Sequence, residues 1–399
     1  CTALRNHLPN RNHFMTDNGS LLQTKEVLRK EVYSPSDEIE NARRIPADIA
    51  KRMAKARFYR LSIPRHLGGE EEPPANSSRI VETLARGDAS CAWVAFIGMT
   101  TGTSLASIPK QAATTIFSAP EMLITGVFAP TGVAEKVDGG FNVTGNWQWG
   151  SGSQNADWVM GGCLFKEHGE PMLDNNGRPH IHPMLMPKNE VEFVDTWHVS
   201  GLRGTGSLDY RVKDLFVPQD RAVGFIEPDT PSSALYAFPY FTFLALGIGA
   251  VCLGIARAAI DELVQLATAK KRVSSSKTVA EQQVSQMQLA QAEADLRSAR
   301  LFYYQALDDA WQRAVAGEDV TLEMRCNLRL ATTHAAIRSA EVVDVMYKLG
   351  GGSAVYEKSR LQRHFRDIHV ATSHIMVAPS TLETAGRLFF GLETNTAMF

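Results

Sequence analysis

Apolar positions change their spacing twice along the 399 residues. Up to about residue 123 they recur at helical intervals, as with Ile49, Met53 and Ala56, then Ile80 and Leu84. Gly68, Gly69, Pro73 and Pro74 punctuate a loop between those helices. From residue 124 to 233 alternation takes over. Phe141, Val143 and Gly145 lead to Trp147 and Trp149, Trp158 to a glycine pair, and Val191, Phe193 and Val194 form a short run. Asn176-Gly177 reads as a hairpin tip. Helical spacing then returns over longer stretches: 240–271, 280–315, 322–349 and 361 to about 376. In the second of these Val284, Met287, Ala294, Leu301, Phe302 and Leu307 lie near one side. Long helices with short connections form an antiparallel bundle. The expected fold is mainly α with a central β-domain: an N-terminal helical domain (15–123), a β-barrel (124–233) and a C-terminal four-helix bundle (234–399).

Composition sets limits. With 44% hydrophobic and 21% charged residues, the chain can bury a large core. A net charge of -2, with basic residues spread and not blocked, argues against nucleic acid as a partner. The most apolar stretch, 238–259, is rich in Gly and Ala and contains Arg257, so it reads as a buried helix and not a membrane span. Cys1, Cys91, Cys163, Cys252 and Cys326 show no CxxC or zinc spacing, which fits a reduced, cytoplasmic setting. Residues 1–14 lack the apolar core of a signal peptide, and Met15 is a candidate start.

Three blocks carry a family resemblance. GLRGTGSLDYRVKDLFVP (201–218), RVSSSKTVAEQQVSQMQLA (272–290) and YKLGGGSAVYEKSRLQRHFRDI (347–368) follow one another along the chain. They resemble the acyl-CoA dehydrogenase family's G-x-R-x-S/T-x-S/T stretch, its R-x-x-F-G helix segment and its Gly-Gly turn before an R-x-x-R-D helix. Ser275-Ser276 stand here in place of Phe-Gly. ITGVFAPTGVAEKVDGGFNVTGNWQWGSGSQNADWV (124–159) and RHFRDIHVATSHIMVAP (363–379) resemble the two-component flavin hydroxylase branch.

That branch implies the oxygenase component of a flavin-dependent monooxygenase. Its cofactor would be reduced FMN or FAD delivered by a separate flavin reductase. With O2 it would hydroxylate a small aromatic, indole- or phenol-type substrate through a flavin hydroperoxide. No G-x-G-x-x-G nicotinamide fingerprint follows a strand, in agreement with reduction elsewhere. Two other readings stand beside it: an FAD-dependent acyl-CoA dehydrogenase, and a non-catalytic member of the fold. A dehydrogenase needs a carboxylate base at the flavin. One family position for it reads Ala371-Thr372-Ser373-His374, and no Asp or Glu occurs between Thr230 and Ile260, the other region.

The resemblance assigns roles to particular residues. His374 becomes the catalytic, substrate-polarising imidazole, a base that would partly deprotonate a phenol or an indole N–H, the alternative being a structural helix histidine. Ser151, with Ser153, belongs to the flavin-facing turn, where a hydroxyl or backbone N–H meets the ring nitrogen; a plain polar turn is the alternative. Trp147 and Trp149 either pack against flavin or fill the barrel. Phe128, Ala129 and Thr131 would line the flavin's other side. Arg272 would fork onto the flavin phosphate, or simply end a helix. Gly351 and Gly352 let a backbone approach the cofactor, or terminate a helix. Thr205 and Ser207 either bond flavin or stabilise their turn. The helix near residues 95–101 lacks the second histidine of several aromatic hydroxylases. An apolar pocket of Phe96, Met99, Phe238 and Phe241 would suit a flat ring such as indole or an indole acid. His364, His369 and His374 are five apart and share no helical face, and His180 and His182 read as loop histidines, so no metal is expected. The family's habit of building sites across subunits implies a homotetramer.

Overall fold

The computed structural model describes residues 29–119, 121–227, 233–271 and 276–399. Met15 and Arg272, and with Arg272 its phosphate role, lie outside the described residues. Among the described residues, residues 29–33 are helical and are followed by α1 (Ser36–Ala42), α2 (Ala47–Lys55), α3 (Pro74–Ala85), α4 (Ala89–Gly102) and α5 (Lys110–Ile116). The start of α4 is set by Asp88, whose side chain accepts from the Cys91 N–H at 2.9 Å. Thirteen of the fourteen α4 residues are buried, so this helix is a pillar of the core.

Among the described residues seven strands follow: β1 (Ile124–Val137), β2 (Gly140–Gly150), β3 (Trp158–Glu167), β4 (Glu170–Pro171), β5 (Ile181–Pro187), β6 (Glu192–Val194) and β7 (Leu208–Pro218). They form one sheet in the order β4-β3-β1-β2-β7-β6, with β5 paired to β3. This one sheet is the central β-domain expected from the sequence, and among the described residues no ladder joins β6 back to β5. The β1–β3 pairing is parallel and slips between Val127 and Gly132, which frees residues 128–131 from the ladder. Under the sheet Trp147 is fully buried. Its indole N–H donates to the Gly162 carbonyl at 2.8 Å, and its ring stacks on Tyr210 at 5.4 Å. A Cβ on Gly161 would lie 2.4 Å from that indole, so only glycine fits there.

The C-terminal part contains α6 (Ala234–Ala237), α7 (Tyr240–Ala269), α8 (Gln283–Val315), α9 (Leu322–Gly350), α10 (Arg360–Thr372) and α11 (Pro379–Phe389). The apolar window of α7 is 89% buried, which makes it a core helix packed against α3, α4, α9 and α10. The expected apolar side of α8 is corrected. Val284, Met287 and Leu301 are exposed, and Leu301 is 70% exposed. The buried stripe runs through Ala292, Leu296, Ala299, Tyr303, Leu307 and Ala310, where small alanines let neighbouring helices approach. The helix expected to reach residue 376 ends at Thr372. Its last carbonyls are met by Ser373, and the chain turns extended at His374. Helix α11, which carries apolar Phe389 and Phe390 at its exposed end, was not legible as a separate element.

Candidate active site

Polar groups from four segments meet in a buried line. On α4, Trp93 and Phe96 sit one turn apart with ring centroids 5.0 Å from each other, and Met99 continues the same buried face. The Trp93 indole N–H donates to the Ser151 hydroxyl at 3.1 Å. The Ser151 and Ser207 hydroxyls are 2.7 Å apart, Ser207 and Thr205 again 2.7 Å, and Thr205 donates to the Leu202 carbonyl at 2.8 Å. On the other side of Trp93 lies His374, with ring centroids 5.9 Å apart.

Local backbone explains why these groups meet. One residue before its end at Gly150, strand β2 has Trp149 at φ 64°, and the chain then turns through Ser151-Gly152-Ser153. Gly152 adopts φ 75°, and its N–H donates to the Thr205 carbonyl at 2.8 Å, binding the two turns together. The second turn is held by α10: the Leu202 N–H donates to the Asp367 carboxylate at 2.6 Å. Arg363, itself buried, pairs with Asp37 and with Glu40 of α1, and Arg366 pairs with Glu40 at 2.6 Å and with Gln362 at 2.6 Å. These arginines therefore brace the loop from within the fold and do not merely decorate a surface.

Burial pushes the Asp367 carboxyl up to about 7 from its ordinary 3.8, against the lowering effect of the Leu202 N–H. A group raised in the folded state contributes stability that is present at low pH and lost as pH climbs through about 7. Asp367→Asn keeps an acceptor for Leu202 and removes the charge. We expect its melting temperature to match wild type only below about pH 4 and to exceed it by an increasing margin from pH 5 to pH 9, where wild type loses on the order of 1–3 kcal/mol. Equal curves at both pH values would contradict this.

His374 caps the short 3-10 turn Ile375–Val377, its Nδ1 accepting from the Met376 N–H at 3.2 Å. That bond places the imidazole hydrogen on Nε2, so the free edge of the ring donates. Burial, reinforced by the Arg329 charge, lowers His374 to about 4. Arg329, on α9, is 3% exposed. It reaches Thr381 Oγ1 at 3.4 Å and Met376 Sδ at 3.9 Å, lies over the Phe399 ring at 5.7 Å, and forms no side-chain ion pair among the described residues. Burial lowers it to about 10, so it remains a cation at neutral pH. No carboxylate takes part in the Trp93–Ser151–Ser207–Thr205 line or bonds to His374 among the described residues.

The other predicted residues are placed as follows. Met99 is buried beside Phe96 on α4. Phe238 packs on Trp311 of α8 at 6.2 Å, and Phe241 on Tyr240 at 5.8 Å, so neither ring is joined by a ring contact to Trp93 and Phe96. Phe128 lies half-buried against Tyr240 at 5.4 Å. Ala129 and Thr131 are exposed in the β1 irregularity, and Thr131 donates to the Asn146 carbonyl at 2.8 Å. Trp149 is 68% exposed, two residues before the buried Ser151. Gly351, with φ 52°, and Gly352 are exposed at the end of α9, where Lys270 donates to the Gly350 carbonyl. His180 and His182 are not loop residues acting alone: their rings stack at 5.3 Å, and His182 lies in β5. No group of three metal-ligating side chains occurs among the described residues. Sequence reasoning missed Trp93 and Arg329. Trp93 sits in a helix of unbroken apolar character, so its N–H carried no signal.

A flavin fits these residues. Ser153 Oγ and Thr125 Oγ1 are fully buried hydroxyls without a hydrogen-bond partner, and residues 128–131 leave the β1–β3 ladder beside an exposed indole. A planar, polar-edged ring system meets such groups; a purely apolar ligand does not.

Comparison with known proteins decides the family. The acyl-CoA dehydrogenase N-terminal domain matches residues 21–111 and the acyl-CoA dehydrogenase C-terminal domain residues 246–379. The chain is 32% identical to an indole-3-acetate monooxygenase of Acinetobacter baumannii over 89% of its length and 90% of that protein. It is 33% identical to an indole-3-acetate monooxygenase of Pseudomonas putida over 89% of each chain. The chain belongs to the flavin-dependent monooxygenases of the acyl-CoA dehydrogenase superfamily. Among solved structures, this monooxygenase superposes on the 3-HSA hydroxylase of Rhodococcus sp. RHA1 with a TM-score of 0.88, at 27% identity, covering 96% of this chain and 100% of that one. Beside Trp93 of its polar line it has an imidazole, that of His374.

Proposed function

We propose that this monooxygenase is the oxygenase component of a two-component system and hydroxylates a small aromatic acid of the indole-3-acetate class. The observation that carries this is the pairing of a donating imidazole edge with a buried, acid-free cation. His374 offers Nε2–H, and Arg329 lies behind the same turn through Met376. Both favour an oxygen anion on the substrate, such as a carboxylate or phenolate. Two relatives that share about a third of the sequence act on indole-3-acetate by name, which supports the ring type.

Reduced flavin, received from a separate flavin reductase, supplies the electrons that activate O2, with one oxygen atom going to the ring and the other to water. The chain's own residues prepare the site. Trp93, Phe96 and Met99 give an apolar wall that excludes water and seats a flat ring. His374 Nε2–H holds the substrate oxygen. Ser151 and the buried Ser153 hydroxyl face the flavin's polar edge, with Phe128, Ala129, Thr131 and Trp149 at its rim. Gly351 and Gly352 offer backbone to a cofactor reached from a neighbouring copy. Exposed Met287, Leu301 and Phe390 (the last 84% exposed) are surfaces that a homotetramer would cover.

The test supplies the protein with a generic flavin reductase, nicotinamide, FMN or FAD, and indole-3-acetate under labelled dioxygen. A product heavier by one labelled oxygen is expected, with simple uncharged indole turned over more slowly. Reduction of bound flavin by an acyl-CoA thioester without O2, and no labelled product, would overturn the proposal in favour of a dehydrogenase.

A further inference from the structure

The buried line of hydroxyls has a direction. Each hydroxyl carries one hydrogen. Thr205 spends its hydrogen on the Leu202 carbonyl at 2.8 Å, so toward Ser207, 2.7 Å away, it can only accept. Ser207 then spends its hydrogen on Thr205, and toward Ser151, again 2.7 Å away, it can only accept. Ser151 therefore donates to Ser207 and accepts from the Trp93 N–H at 3.1 Å. Its backbone N–H is also engaged, with the Trp149 carbonyl at 2.8 Å. One lone pair on Ser151 Oγ is left over, and no hydrogen.

We infer that Thr205 and Ser207 are positioning residues that make the site selective for flavin with a hydrogen on N5, by leaving Ser151 able to accept but not to donate. This rests on the reading that Ser151 faces the flavin's central ring. Reduced flavin presents N5–H, a donor that matches the spare lone pair. Oxidised flavin presents an N5 lone pair and meets another lone pair.

The line can be turned round, at a loss. If Thr205 donates to Ser207 and Ser207 to Ser151, Ser151 gains a free hydrogen for oxidised flavin. Leu202 O then keeps only the Thr205 N–H at 3.1 Å and the Trp197 indole N–H at 3.3 Å. The reversed line has one hydrogen bond fewer than the forward line. A net hydrogen bond of ordinary strength corresponds to a preference for the reduced form of about three- to tenfold. For an oxygenase component this favours taking up reduced flavin and releasing it once oxidised.

The experiment measures dissociation constants of oxidised FMN and FAD, and of the same flavins reduced by dithionite without oxygen, for the full chain and for Thr205→Val, Ser207→Ala and Ser151→Ala. Thr205→Val is nearly isosteric and removes the acceptor that orders the line; Ser207→Ala frees the Ser151 hydrogen directly. The wild-type ratio of oxidised to reduced dissociation constants is expected to fall about three- to tenfold in both. Ser151→Ala should weaken the reduced form. A wild-type ratio in Thr205→Val and Ser207→Ala, with Ser151→Ala still weakening flavin, would overturn the polarity and leave the site reading standing. Unchanged constants in all three variants would remove Ser151 from the flavin, and both readings with it.

Discussion

Turnover of an aromatic acid should fall by about 10²–10³-fold in His374→Ala while flavin still binds, because the variant removes one fixed N–H donor from the place proposed for the substrate oxygen. The effect should lie mostly in kcat if the hydrogen bond strengthens in the transition state, and in KM if it only holds the substrate. His374→Gln, which retains an N–H donor, should recover part of the loss; a base would not be rescued in this way. The pH profile separates the roles further. His374 is lowered to about 4 by burial and by Arg329, so the neutral ring persists well below the ordinary histidine range. Wild-type kcat should stay level from pH 8 to about 5 and fall only as pH approaches 4. The stability linkage has the same sign: a histidine depressed in the folded state costs stability as pH falls below its unfolded value of 6.5. A kcat that breaks near 6.5, or His374→Ala turnover within about twofold of wild type, would remove this imidazole from the mechanism.

What was legible depended on whether the physics was local. Ser151 and His374 stood in blocks with family patterns, and both proved to lie on one connected set of side chains around Trp93. The change from helical to alternating spacing near residue 124 marks the real start of β1. Three features needed tertiary knowledge. The inward side of α8 is an alanine stripe, and alanine gives a weak periodic signal, so its larger apolar residues suggested the wrong side. Arg329 has no neighbouring sequence signal; its importance comes from burial without an acid partner, which only packing of α9 against residues 376–381 creates. Trp93 looked like ordinary core, and it is core by burial, but its N–H finds Ser151 from a segment 58 residues away. The tautomer of His374 is likewise set by a backbone N–H in a turn that periodicity would have continued as helix.

Trp147→Ala should destabilise the protein by about 3–5 kcal/mol, the cost of truncating a fully buried aromatic ring. The site is poorly able to collapse. Glycines at 132, 145 and 161 already approach the indole so closely that a Cβ on any of them would come within 2.6 Å of it, so no side chain stands ready to fill the cavity. The loss should also reach the side of the sheet proposed to hold flavin. The indole N–H anchors Gly162, whose α-carbon lies against the Phe128 and Ala129 carbonyls, and Tyr210, stacked on the same indole, accepts the Val127 N–H at 3.1 Å. Trp147 therefore supports the start of the segment that leaves the ladder at residues 128–131, and Gly132, where the ladder resumes, packs directly on its indole. Trp147→Phe keeps much of the ring but leaves the buried Gly162 carbonyl without its donor, at a cost of about 1–3 kcal/mol. That variant should remain folded and bind flavin more weakly, with His374 and its pH profile undisturbed. Urea unfolding of both variants, with flavin titration of the Phe variant, measures this. A loss under about 1 kcal/mol in Trp147→Ala would mean that the sheet can rearrange around the void, and Trp147 could then no longer be what fixes the rim of the flavin site.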